Sequence, residues 1–336
     1  LILFDCTFAG NATGSGNTGG TGGTLSSPTR GANGGDGGAG GNGGGICSLG
    51  ILTIQNCTIS GNLTAQGGNG GHAGIGSASG HDQTGNGGAG GTGGSGGGVY
   101  SFGNSIIQSC TISSNLTAQG GTGGRADDFG IPGTNGLSGV AGSGGGIFSI
   151  SNNLQIVNTI IANNATPTNS LDVAGNFLSL GFNLVGNTNG SIGFGAAGDL
   201  IGVDPLLAPL TDNNGPTWTM ALLPGSPAID AGTSVGAPNT DQRGVPRTQG
   251  SNPDIGAFEF IFSHVMKFTD VQFDQQNGQV QFSLSGVPGD VYQILASTNL
   301  VNWLSIATVT NMGGIVQFTD TASTNYSRRF YRVVMP

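Results

Sequence analysis

Apolar and polar residues alternate in short runs along the first half of the chain. Leu52 and Ile54 flank Thr53, and Cys57 and Ile59 flank Thr58. A period of two marks strands with one buried face. The runs return as copies. Asp5-Cys6-Thr7-Phe8-Ala9-Gly10-Asn11-Ala12-Thr13 comes back as Asn56-Cys57-Thr58-Ile59-Ser60-Gly61-Asn62-Leu63-Thr64. It comes back again as Ser109-Cys110-Thr111-Ile112-Ser113-Ser114-Asn115-Leu116-Thr117 and as Asn158-Thr159-Ile160-Ile161-Ala162-Asn163-Asn164-Ala165-Thr166. Each copy holds two or three short strands with turns between them, enough for one coil. Stacked repeats of this kind predict a solenoid, here an all-β parallel β-helix over residues 1–166.

Stacking turns repeated residues into columns. Cys6, Cys57 and Cys110 predict a column of small buried side chains. A disulfide between adjacent coils is the alternative, disfavoured because parallel Cβ vectors make its torsions difficult. Asn11, Asn62, Asn115 and Asn164 predict a hydrogen-bonded asparagine ladder at a turn, since asparagine tolerates left-handed geometry and bonds nearby backbone. All four also stand in Asn-x-Thr sequons, so glycosylation is the other reading. Thr7, Thr58 and Thr111 predict an outward column on a wet face.

Between the copies lie insertions at 14–45, 67–98 and 120–146. Their return arms have a period of three. Asn33, Asp36, Ala39 and Asn42 are separated by glycine pairs, as are Asn86, Ala89, Thr92 and Ser95. The third arm keeps Gly133, Gly136, Gly139, Gly142 and Gly145. Period three matches a polyproline-II-type helix, and flexible linkers carry no such register. The insertions therefore predict polyglycine-II hairpins with tips near 25–30, 78–83 and 126–132, stacked as a side layer whose backbone groups pair between arms.

Composition narrows the function classes. The chain has 336 residues, 69 of them glycine, and a net charge of -9, with Lys267 as its single lysine. That balance argues against nucleic acid and anionic membrane surfaces as partners. No run is long and apolar enough to span a bilayer. The opening at Leu1 in a strand-like run reads as a processed or truncated product. The open Leu1 end also predicts a homo-oligomer or filament contact, because an uncovered coil templates pairing with another chain.

After Thr166 the repeat dissolves. Residues 167–262 carry Gly181-Phe182-Asn183-Leu184-Val185-Gly186, Leu223-Pro224-Gly225-Ser226-Pro227-Ala228-Ile229-Asp230-Ala231-Gly232, Asp241-Gln242-Arg243-Gly244-Val245-Pro246-Arg247 and Pro253-Asp254-Ile255-Gly256-Ala257-Phe258-Glu259. This series, over about 150–260, resembles the choice-of-anchor Q domain of secreted bacterial β-helix proteins. The resemblance implies a right-handed β-helix, a secreted or surface location and no catalytic residues to transfer. Physically the region is expected to form the last coils and a cap, latched by Arg243 with Asp230, Asp254 or Glu259.

From 263 to 336 glycine thins and aromatic-rich alternation predicts a small antiparallel β-sandwich. Ala296-Ser297-Thr298-Asn299-Leu300-Val301-Asn302-Trp303 with Arg329-Phe330-Tyr331-Arg332 resembles C-terminal β modules of secreted proteins from verrucomicrobial-type bacteria. Trp303 is assigned to the core, and Arg328, Arg329 and Arg332 to a wet face.

No catalytic, cofactor or metal site is expected. Lyases on this fold need an acidic calcium cluster and a base, and hydrolases need paired carboxylates. The coils carry Asp127-Asp128 as their acidic pair, and His72, His81 and Asp82 are weak metal candidates. The expected function is a non-catalytic, extracellular or cell-surface structural or adhesion protein. A filament subunit and a polysaccharide- or ice-binding β-helix are the companion readings, with cell-surface polysaccharide as a possible partner.

Overall fold

The computed structural model describes residues 1–23, 31–75, 85–126, 133–151, 153–167, 171–261, 267–274, 276–286, 289–312 and 315–335. The hairpin tips and the pairs His81-Asp82 and Asp127-Asp128 lie outside them. The chain divides into two compact units, Leu1–Phe260 and Ile261–Pro336.

The first unit is a parallel β-solenoid. Its first coil holds β1 (Ile2–Phe4), β2 (Thr7–Ala9) and β3 (Ile46–Ser48). The second holds β4 (Leu52–Gln55), β5 (Thr58–Ser60) and β6 (Val99–Ser101). The third holds β7 (Ser105–Gln108), β8 (Thr111–Ser113) and β9 (Ile147–Ser149), and the fourth β10 (Leu154–Val157), β11 (Ile160–Ala162) and β12 (Val173–Asn176). Then come β13 (Leu178–Ser179), β14 (Leu184–Val185), β15 (Ser191–Ile192) and β16 (Leu200–Ile201). From β1 to β15 every third strand pairs in parallel, and β16 adds to β14, giving three sheets that run along the stack. The copies register as the sequence aligns them, Thr7 on Thr58 and Thr58 on Thr111.

Alternate residues point inward and fill one core. Leu52, Ile54, Ile59, Ile107, Ile112, Leu154, Ile156 and Ile161 are fully buried there, and Phe194 packs on Phe177 near the last coil. The corners need left-handed backbone. Asp5, Asn56, Ser109, Asn158 and Phe182 have φ near +50 to +57° at one corner. Gly10, Gly61, Ser114 and Asn163 take φ of 62–66° at the next. The ladder asparagines follow these residues and do not themselves occupy the left-handed position.

The insertions form the layered bundle. Each outgoing arm lies against its own return arm: Gly35, Gly38 and Gly41 N–H donate to the carbonyls of Gly20, Asn17 and Gly14 at 2.8–3.0 Å. Like arms also pair from one hairpin to the next, as in Gly37 N–H to Ala89 O at 2.8 Å and Gly70 N–H to Thr122 O at 2.8 Å. The third residue of each triplet faces outward, and where it carries an acceptor it caps the N–H of its counterpart in the next hairpin. Asn33, Asp36 and Asn42 accept from the N–H groups of Asn86, Ala89 and Ser95 at 2.7–2.9 Å. This explains asparagine and aspartate at the non-glycine positions. The glycines are there for close approach: a Cβ on Gly70 would lie 2.0 Å from the Gly88 carbonyl oxygen.

Residues 203–260 are not a simple cap. They run back along the outer face of the β2–β5–β8–β11 sheet as a strap. Thr217 and Trp218 reach the first coil, where Thr217 Oγ1 donates to Asp5 O and Thr7 Oγ1 donates to Trp218 O. Thr58 and Thr111 are consequently buried at 0% and 1% exposure. The threonine column is the strap's seat and not a wet face.

The second unit is a β-sandwich of two three-stranded antiparallel sheets. One orders β17 (Lys267–Phe273), β18 (Val280–Ser285) and β21 (Ile315–Asp320); the other has β19 (Val291–Ser297) between β20 (Leu304–Thr310) and β22 (Phe330–Val334). Its core is Phe282, Leu284 and Ile294. Two expectations are corrected here. Trp303 is half-buried and stacks under the Arg332 guanidinium, 4.4 Å from its ring centroid, outside that core. Arg329 is not on a wet face but pairs with Asp320 at 3.0 Å over the Tyr326 ring.

Candidate functional site

The asparagine ladder is continuous. Each asparagine's Oδ1 accepts both N–H and Nδ2 of the asparagine one coil earlier, at 2.9–3.0 Å from Asn11 to Asn62, Asn62 to Asn115 and Asn115 to Asn164. Asn62, Asn115 and Asn164 are buried, so their amides are internal to the stack. The run ends on an unforeseen residue: Asn164 N–H and Nδ2 donate to Asp172 Oδ1 at 2.8 and 2.9 Å. A ladder of donors needs an acceptor at its end, and a carboxylate supplies one.

The cysteine column behaves the same way. All four cysteines are free thiols. Cys57 and Cys110 are fully buried and Cys6 half-buried at the first coil. Cys6 N–H donates to Cys57 Sγ and Cys110 N–H to Thr159 Oγ1, each at 3.3 Å. Thr159 N–H continues to Asn183 Oδ1 at 3.1 Å, and Asn183 ends on Asp199 Oδ1 at 3.0 Å. Contact with Cys110 and burial both hold the Cys57 thiol protonated.

The strap is fastened by buried charge, with partners other than those expected. Arg243 does not pair with the carboxylates of Asp230, Asp254 or Glu259. Its Nε and Nη2 fork onto Asp241 Oδ2 at 2.9 and 2.8 Å, its Nη2 also donates to Glu259 O, and it stacks 3.5 Å over the Phe258 ring. Glu259 instead faces Arg247 at 3.4 Å and accepts the N–H groups of Thr248, Gln249 and Asp254. Arg247 Nη2 donates onward to Asn56 Oδ1 at 3.0 Å, which ties this cluster to the second coil. Asp254 Oδ1 accepts Asp230 N–H at 2.7 Å. Asp254 is 2% exposed, and burial with Glu259 and Asp230 nearby pushes its pKa up to about 7. Gln242 spans three strap and coil groups, accepting from Thr58 Oγ1 at 2.7 Å and donating to Thr7 and Thr217 Oγ1 at 2.9 Å.

A cleft of about 580 Å³ opens where the fourth and later coils lack a hairpin, lined by Asn163, Asn164, Asp172, Gly186, Asn187 and Asp204 among others. Its carboxyl groups are engaged, Asp172 by Asn164 and Asp204 by Leu206 N–H. No cysteine, histidine or lysine lines it. His72 Nδ1 is likewise occupied, accepting Arg125 N–H at 2.9 Å. Among the described residues no group of three or more His, Cys, Asp or Glu is placed to hold a metal ion.

Burial pushes the Asp172 pKa up to about 6. A carboxyl group with a raised folded pKa contributes stability that is fully present below about pH 4 and lost as the pH rises through the folded value. Asp172→Asn keeps an Oδ1 acceptor and removes the charge. The wild-type Tm should fall more between pH 4 and pH 7 than that of the variant. Identical Tm–pH curves would remove Asp172 as the source.

No family model, curated protein or solved structure matches this chain.

Proposed function

We propose that this chain is a secreted or cell-surface structural and adhesion protein that acts through its scaffold and not through catalysis. The supporting observation is how its chemistry-bearing side chains are used. Asp172 and Asp199 end side-chain ladders, while Asp241, Asp254, Glu259, Arg243 and Arg247 hold the strap. What faces solvent on the bundle is mostly Asn, Thr, Ser and Ala with few charges, joined by Leu137 and Val140 of the third return arm. The choice-of-anchor Q resemblance and the near absence of lysine agree with an extracellular setting. Coil-on-coil assembly belongs to this reading: Leu1, Ile2 and Phe4 are more than half exposed, on a face that a further coil, of this chain or of another copy, would cover.

A cell-surface polysaccharide is the favoured target of adhesion, with the polar cleft as one place to hold it. Ice binding through the threonine column is not retained, because the strap covers it. The test is a panel of bacterial and plant polysaccharides assayed for both retention and chain length. Retention with polymer length unchanged is the expected result; shortening of any polymer would replace this reading with an enzymatic one. Negative-stain microscopy at high concentration should show end-to-end particles, and monomers throughout would remove the assembly component.

A further inference from the structure

The third hairpin has no successor within the chain. In the fourth coil Asn164 bonds Asp172, eight residues on, which leaves no length for another hairpin. The far side of the third hairpin is therefore an edge set inside the sequence. In the second hairpin the N–H groups of Gly67, Gly70, Gly87, Gly90 and Gly93 donate to the carbonyls of Gln119, Thr122, Thr134, Leu137 and Val140 at 2.8–3.1 Å. The matching N–H groups of Gly120, Gly123, Asn135, Ser138 and Ala141 donate to nothing among the described residues. Acceptors are free there as well. The carbonyls of Gly88 and Gly91 take the N–H groups of Gly124 and Gly121 at 2.8 Å, while their counterparts Gly136 and Gly139 take none among the described residues. The third return arm thus shows N–H and C=O in alternation, repeated every three residues, about 9 Å along the arm.

The chemistry of this edge narrows its partner. Another polyglycine arm is excluded. A Cβ on Gly87 would lie 2.0 Å from Gly124 O of the next outgoing arm, and here that position holds Asn135, followed by Ser138 and Ala141. A β-strand is out of register, because its edge groups repeat about every 7 Å. Hydroxyl groups fit, since each gives one hydrogen bond and accepts others, and side chains as small as serine and alanine leave them room. The edge also stands over the polar cleft. Thr117 N–H, at the foot of the third hairpin, donates to the carbonyl of Ala165, which lines the cleft, at 3.1 Å. Exposed Asn163 and Asp204 add polar groups on the cleft floor, and the Asp204 carboxylate disfavours an acidic polymer. Leu137 and Val140 are 81% and 69% exposed where the second return arm carries Ala89 and Thr92. They place apolar surface beside the polar row.

We propose that the far edge of the third hairpin, with the cleft at its foot, binds a neutral polysaccharide. The polymer lies along the return arm. Its hydroxyl oxygens accept from the N–H groups of Asn135, Ser138 and Ala141, and its hydroxyl hydrogens go to the carbonyls of Gly136 and Gly139. The repeat of about 9 Å is about the length of an extended disaccharide, so a regular polymer meets equivalent groups in succession. The C–H faces of its rings rest on Leu137 and Val140. This inference depends on the polysaccharide reading above and gives it a site and a ligand class.

The test is affinity electrophoresis of the full chain through gels holding mixed-linkage glucan, xylan, galactomannan or, as the acidic probe, polygalacturonate. Retardation by at least one neutral polymer is expected. The double variant Ser138→Pro/Ala141→Pro removes two free donors, and proline suits a polyproline-II-type arm. It should weaken retardation at least tenfold, with unchanged hydrogen exchange over residues 85–96 as the check on folding. Ser138→Phe, whose side chain enters solvent, gives the same loss by blocking the edge if the prolines disturb the arm. Ser138→Ala keeps the N–H, and Gln66→Ser lies on another face; both should bind as the native chain does. The proposal is overturned if the double variant and Ser138→Phe are retarded equally with the native chain, if polygalacturonate alone retards it, or if an (Asn-Gly-Gly)4 peptide displaces the polymer. Equal retardation of the edge variants moves the site and leaves the polysaccharide reading standing, whereas retardation by none of the polymers ends both.

Discussion

Alanine at Gly70 should strip hydrogen-exchange protection from the middle hairpin, while alanine at Gly20 leaves it intact. Both are glycines of outgoing arms, and composition does not separate them. The lattice does. The Cβ at Gly70 would meet the Gly88 carbonyl at 2.0 Å, and backbone cannot move aside as a flexible side chain can. Separating the arms breaks the Gly70 bond to Thr122 and the neighbouring Gly88 and Gly91 bonds to Gly71 and Gly68. Overpacking and several lost backbone bonds together put the cost at about 3 kcal/mol or more. At Gly20 the methyl group enters solvent and restricts the unfolded chain, for a gain of about 0.4–1 kcal/mol where the backbone suits alanine. Exchange mass spectrometry over residues 66–75 and 85–96 reads the difference. Equal protection in the two variants would mean that the arms are not packed as a lattice.

Glu259→Ala should release the strap. The substitution leaves three N–H groups without their acceptor and the Arg247 guanidinium buried without its counter-charge. Removing one partner of a buried ion pair costs about 3–5 kcal/mol. The visible result would be solvent access to Thr58 and Thr111 and new proteolytic cuts in 205–255, with the bundle still protected. Glu259→Gln retains acceptors and should be milder. Asp254 tunes the same region. Its raised pKa means that its contribution weakens as the pH climbs through about 7, so the strap of the native protein should be cut faster at pH 8 than at pH 5.5 once rates are corrected for protease activity.

Some of this architecture is legible in the sequence because it is periodic. The four copies around Asn11, Asn62, Asn115 and Asn164 align as the strands register, and the triplets of the arms align as the arms pair. The ends of the ladders were not legible. Asp172 and Asp199 fall outside the copies, and only a search for an acceptor one coil beyond Asn164 would have pointed to them. The strap was hidden for a different reason. Residues 203–260 have no repeat, and their partners are single groups far away in the chain, such as Gln242 with Thr7 and Arg247 with Asn56. Threonine on an outward strand face looks the same to sequence reasoning whether water or a later segment covers it. The Arg243 expectation failed on a near neighbour: Asp241, two residues away, reaches the guanidinium before the more distant carboxylates do.

The strap also sets an order of events. Asp5 and Thr7 are made some two hundred residues before Thr217, Trp218 and Gln242, which close over them. The coil of β1 and β2 therefore waits, half-covered, until the coils that follow it have been delivered. A chain cut after residue 166 would keep all four sequence copies and all three hairpins, yet leave its threonine seats bare. In this solenoid completion travels backwards, from a later-made segment to an earlier one.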